Sequence, residues 1–160
     1  MKKKFNTRLV KLGLLMVVTI GIFGTSVKAQ SLDYKMRVNI PFDFAVGDHK
    51  LSAGQYLIGR AFPERGDLVL QIQSRSGRDN ALPLTIPVTS FSPVNQGKLV
   101  FHHIGGEYFL AQVWPAAAST GRELPKSRAE KQALRRVGDA VGAAQKRDAV
   151  ETVTVFGDLR

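Results

Sequence analysis

The sequence predicts a mainly β chain, a single antiparallel sandwich or small barrel with one short basic helix near the C-terminus. Three observations carry that reading. Between Tyr34 and Gly47, the apolar residues Tyr34, Met36, Val38, Ile40, Phe42, Phe44 and Val46 alternate with Lys35, Arg37, Asn39, Pro41 and Asp43, which is the period of a half-buried strand. Turn residues recur about every ten positions and delimit about seven short strands. No helices alternate regularly with those strands, which argues against a parallel α/β sheet.

In chain order, residues 1–29 stand apart as a secretory signal peptide. Lys2, Lys3, Lys4, Arg8 and Lys11 form a basic start, Leu12–Gly24 is an uncharged apolar run, and Val27 and Ala29 are the small residues of a cleavage site. As a helix the run covers about 20 Å at ~1.5 Å per residue, short of a ~30 Å hydrocarbon core. No transmembrane segment is expected in the predicted mature chain, residues 30–160. Six of the 23 cations and none of the 13 acidic residues leave with the signal, so the net charge falls from +10 to +4. Outside the cytoplasm, that balance leaves no footprint for nucleic acid. The chain has no Cys, which excludes a disulfide framework, a thiolate zinc site, a Cys nucleophile and a lipidated Cys anchor. A domain of about 130 residues buries roughly two-thirds of its unfolded surface and needs no staples.

Residues 30–160 read as a single β-rich domain. Pro41 lacks a backbone donor and predicts a bulge, a strand break or an open edge. A strand bent there can turn a barrel corner or cross between sheets. Gly47–Lys50 is a turn, Tyr56–Arg60 a strand and Pro63–Asp67 another turn; Leu68, Leu70 and Ile72 alternate in a third strand before the polar loop Ser74–Asn80. Ala81–Thr89 carries Leu82, Leu84, Ile86 and Val88 on one face and Pro83 and Pro87 at odd positions. Alternate residues aim their N–H groups at one neighbour, so both missing donors fall on the same side and predict an edge strand.

Lys98–Ile104 and Glu107–Trp114 flank Gly105-Gly106, a tight hairpin that sets Phe101 against Leu110, His102 against Phe109 and His103 against Tyr108. Pro115–Gly121 is a small-residue loop. Residues 122–148 form a basic loop and helix, opened by the capping box Ser127-Arg-Ala-Glu130, with a thin apolar stripe of Leu134, Val137, Val141 and Ala144. Residues 150–156 make a short closing strand.

Val38-Asn-Ile-Pro-Phe-Asp-Phe-Ala-Val-Gly47 followed by Leu51-Ser-Ala-Gly-Gln-Tyr56 resembles the opening of an uncharacterised family of small exported proteins from soil acidobacteria. Lys98-Leu-Val-Phe101, Tyr108-Phe-Leu110 through Trp114, and Gly121-Arg-Glu-Leu-Pro-Lys-Ser127 are similar in character and order. The likeness spans most of residues 30–160, with Ser52 where related sequences tend to carry Pro. It implies export and a β fold and brings no catalytic or ligand residues.

Motifs for chemistry are scarce. Neighbours in a strand point to opposite faces, so His102 and His103 cannot chelate one ion from a regular strand. A metal site would need one of them with His49 and a carboxylate such as Asp48 or Glu107, and none is predicted. There is no G-x-S-x-G and no glycine-rich phosphate loop, since Gly105-Gly106 serves the hairpin; Asp43 and Asp48 flank a turn. No catalytic residue and no cofactor is expected. Phe42, Phe44, Phe101 and Tyr108 form either core or the contact face for a small apolar ligand in a barrel cavity. Lys126, Arg128, Lys131, Arg135 and Arg136 offer either a solvated helix face or a contact with anionic envelope surfaces. The expectation is an exported, non-enzymatic envelope or secreted protein, structural or binding. Its expected partners are envelope components or a small apolar ligand.

Overall fold

A computed structural model describes residues 36–66, 68–141 and 150–159. The predicted signal peptide, Tyr34 and Lys35 of the first strand, and Ala144 of the helical stripe lie outside these residues. The described residues are mainly β with one α-helix. Its elements are β1 (Met36–Ile40), β2 (Phe44–Val46), β3 (His49–Leu51), β4 (Gly54–Arg60), a 3-10 turn (Pro63–Arg65), β5 (Leu70–Ser74), β6 (Asn80–Ala81), β7 (Ile86–Thr89), β8 (Gly97–Ile104), β9 (Glu107–Trp114), β10 (Thr120–Glu123), α1 (Arg128–Val141) and β11 (Val150–Leu159).

The first alternating run behaves as its pattern dictates. Met36, Val38 and Ile40 are buried while Arg37 and Asn39 are exposed. Strand β1 ends before Pro41, and the chain resumes as β2 elsewhere in the sheet: β1 pairs with β11 and β4, β2 with β9 and β3. Gly47 takes φ +62° in the turn to β3 while Asp48 stays at negative φ, the II′ geometry that suits a two-residue hairpin.

The eleven strands form one sheet in the order β3-β2-β9-β8-β11-β1-β4-β5-β6, with β10 bonded to β9 and β7. Residues 80–89 bond to β5 at their start and to β10 at their end. Because β10 returns to β9, this segment curls the sheet into a nearly closed barrel. Pro87 lies on an open side as expected, whereas the side that Pro83 shares is bonded to β5. Leu70 N–H donates to Pro83 O (3.1 Å) and Thr85 N–H to Leu68 O (2.7 Å), so odd residues face β5. The ladder on that side stops at Thr85, and β7 pairs with β10 alone.

Several expectations need correction. The sheet has more strands than seven and is mixed, with β2 and β9 parallel. Part of the predicted small-residue loop is β10, whose Thr120 and Gly121 pair with Thr89 and Val88. The last strand continues to Leu159 and lies between β8 and β1. The hairpin register is the predicted one, with Gly105 and Gly106 at φ +58° and +83°. A bulge then intervenes, because Phe101 faces Leu110 but Val100 faces Gln112, leaving Ala111 unpaired. The extra residue lets Leu110 and Val113 both join the core, which strict alternation forbids.

The barrel interior is packed with Met36, Val38, Ile40, Phe44, Tyr56, Ile58, Leu70, Ile72, Leu99, Phe101, Leu110 and Val113, among others. A second cluster joins the outer face of the hairpin, through Ile104 and Phe109, to Ala133, Leu134 and Val137 of α1. The helix starts where the capping box places it. Glu130 N–H donates to Ser127 Oγ (3.1 Å), and Ala129 N–H donates to Asp48 Oδ1 (3.1 Å) of the β2–β3 turn. The reciprocal bond of the box is replaced, because the Glu130 carboxylate turns to His102 instead. Among the described residues, no helix is long and apolar enough to cross a membrane.

Candidate functional site

The four predicted ligand-contact residues do gather. Phe42 stacks on Tyr108 with centroids 3.8 Å apart and meets the edge of Phe101 at 5.3 Å; Phe44 meets Phe101 at 5.5 Å and Tyr56 at 5.2 Å, also edge-on. Their exposure divides them. Phe44 and Phe101 are buried in the core, while Phe42 and Tyr108 are half-buried against it. Edge-on and offset rings fill space efficiently, so this cluster occupies the interior that a carried ligand would need. Of the four, Phe44 and Tyr108 touch a surface groove, together with Asp43, Lys50, Gly106 and Glu107, and Tyr108 is the more exposed of the two.

The adjacent histidines point to opposite faces, as strand geometry requires. His103 lies on the inner side, stacked on Tyr108 at 4.3 Å, and its Nδ1 lies 3.1 Å from Glu151 Oε2. His102 lies on the outer side under α1, where its Nδ1–H donates to Glu130 Oε1 at 2.7 Å. Glu130 is buried, so this bond satisfies a carboxylate that burial would otherwise penalise. Among the described residues, no three His, Asp or Glu side chains gather as a metal ligand set.

The basic residues are exposed, and the helix sorts them. Glu130, Ala133, Leu134 and Val137 face the barrel at helical spacing, which leaves Arg128, Lys131 and Arg135 together on the solvent side. Lys126 is exposed just before the helix, and Arg136 is paired with Glu107 at 3.1 Å.

Sequence reasoning missed the feature with the least ordinary exposure. Alternation placed Leu82, Leu84 and Ile86 on one face of a strand, and that face points to solvent. They are 52%, 65% and 51% exposed, while Ala81 before them and Thr85 among them are buried. Leu68, on the neighbouring stretch that pairs with Leu84 and Thr85, is exposed as well. Beside this row lies a groove of about 390 Å³, lined by Ala81, Leu82, Pro83 and Leu84 on one side and by His49, Leu124 and others opposite. One signal for it was present. The 18 residues from Asn80 to Gly97 carry no charge, in a chain that is 22% charged overall.

A buried tyrosine makes a separate tie. The Tyr56 hydroxyl donates to Ser52 O at 2.6 Å and contacts Asp79 Oδ2 at 3.2 Å, tying the segment after β3 to the segment before β6. Burial first, then the charge and hydrogen bond of Asp79, push its pKa well above the ordinary value. No family model, curated protein or solved structure matches the chain.

Proposed function

We propose that the chain is an exported, non-enzymatic binding protein of the bacterial envelope or its surroundings, acting through the outer surface of a filled barrel. The observation that carries the reading is the exposed row Leu82, Leu84 and Ile86 on one strand face beside an open groove, with Leu68 exposed on the neighbouring stretch. Contiguous apolar residues at a surface favour a contact surface over bare solvent. The packed interior favours this reading over a carrier that holds a small apolar ligand inside. Export rests on the three-part N-terminal pattern of residues 1–29.

A second reading has its own support. Arg128, Lys131 and Arg135 share the solvent side of α1 with Lys126 close by, a suitable arrangement for an anionic envelope surface, with attraction that fades as salt rises. One experiment separates the two. A photo-crosslinking amino acid is placed in turn at Leu84, at Arg135 and at Thr154, an exposed control on β11, in the bacterium that makes the protein. The apolar-row reading predicts a discrete adduct from Leu84 alone. Adducts from Arg135 alone would favour the helix, and equal labelling at all three positions would contradict both.

A further inference from the structure

Residues of a strand send their backbone groups alternately to the two sides. In residues 81–90 the odd members face β5: Ala81 pairs with Ile72, Pro83 O accepts from Leu70, and Thr85 N–H donates to Leu68 O. The N–H and C=O groups of Leu82 and Leu84 therefore point the other way, into the groove. Among the described residues, no hydrogen bond meets them there. Farther along, the same side of the strand is occupied by β10, from Ile86 onward. The groove is thus the stretch where β10 has ended and nothing replaces it.

Its opposite wall explains why it stays open. Val46, Gly47 and His49 of the β2–β3 turn stand there with Leu124 and Pro125. Strand β3 is one end of the sheet path and β6 is the other, so the groove is the seam at which the barrel fails to close.

Exposed strand edges are usually blunted by Pro, by charge or by a bulge. This chain spends Pro83 and Pro87 on the β5 side and leaves the groove side unguarded, with leucines at both donor positions.

Resting on the outer-face reading, we infer that the seam takes an extended segment of a partner polypeptide, added as a strand beside Leu82 and Leu84. Donors and acceptors repeating every second residue match a peptide backbone. A lipid tail offers neither. A second copy of the chain brings β5 on the far edge of its own 80–84 segment, bulk that a lone extended segment lacks. The added strand lies beside the exposed Leu82 and Leu84, which favours β-branched apolar residues at the cross-strand positions. Lys126, exposed next to Pro125 on the rim, favours an acidic flank.

The test uses the exported, purified protein labelled with nitrogen-15. Its probe is a short synthetic peptide of alternating valine and threonine with a glutamate at one end. A control peptide has the same sequence but carries N-methyl groups on alternate backbone nitrogens. The expected result is that the first peptide binds, that amide exchange at Leu82 and Leu84 slows at least tenfold or so, and that the methylated peptide binds about tenfold or more weakly. Leu82→Pro removes one groove-facing donor without touching the β5 ladder and should weaken binding while the melting temperature holds. If that variant does not fold, the two peptides on the unaltered protein still decide.

Equal binding of both peptides would overturn strand pairing while leaving an adhesive outer face intact. No binding of either at millimolar peptide, or a dimer that protects Leu82 and Leu84 without peptide, would overturn the assignment. A failure of the outer-face reading itself appears separately, as the absence of a crosslink from Leu84.

Discussion

Single residues in this chain do work that their sequence neighbourhood does not announce. Tyr56 reads as one more alternating aromatic, yet its hydroxyl holds the ends of two segments together through Ser52 O and Asp79. Its pKa in the folded chain is raised above the ordinary 10.0, chiefly by burial and then by Asp79. A group whose folded pKa is raised contributes stability that is whole below the unfolded pKa and declines as pH climbs past it. The protein should therefore lose stability above about pH 10, as the unfolded chain's tyrosine ionises and the folded one resists. Urea denaturation at pH 8 and pH 11 checks this, and in Tyr56→Phe the part of the decline due to Tyr56 should vanish. Phe44 teaches a related lesson. It is a predicted contact residue, but Phe44→Ala should cost the core about 3–5 kcal/mol in chemical denaturation, because the ring is buried against Phe101 and Tyr56.

Elements set by local rules were legible, and elements set by closure were not. Period-two alternation found β1 and β5, and Gly105-Gly106 between two β-rich runs found β8 and β9 and their register as far as Phe101 and Leu110. The break at Pro41 and the helix start at Ser127 follow from a missing donor and a side-chain cap. By contrast, β10 has no apolar alternation, since Thr120, Gly121, Arg122 and Glu123 become a strand because β7 and β9 flank them. The Ala111 bulge is visible only as a fault in alternation at Leu110-Ala111-Gln112-Val113. The outward turn of Leu82, Leu84 and Ile86 is invisible to periodicity, which gives a face but not its side. Helix α1 depends on a contact of the same long-range kind, His102 with Glu130. Glu130→Ala should cost about 1–3 kcal/mol by stranding a half-buried imidazole, and Glu130→Gln, which keeps an acceptor, should cost less. Chemical denaturation of the two variants beside the parent measures the difference.

For the whole molecule, the described fold is a nearly closed, filled barrel with one unsealed seam. Aromatic rings fill the interior, and Arg128, Lys131 and Arg135 sit exposed on one side of α1 with Lys126 just before it. The apolar surface lies on a charge-free stretch whose prolines protect one edge only. The measurement that tests this account most directly is residue-resolved amide hydrogen exchange on the free protein. Ala81 and Thr85, bonded toward β5, should exchange slowly, and Leu82 and Leu84, facing the seam, about a hundredfold or more faster. Equal protection of all four would mean that the seam is closed in solution, and would contradict the account.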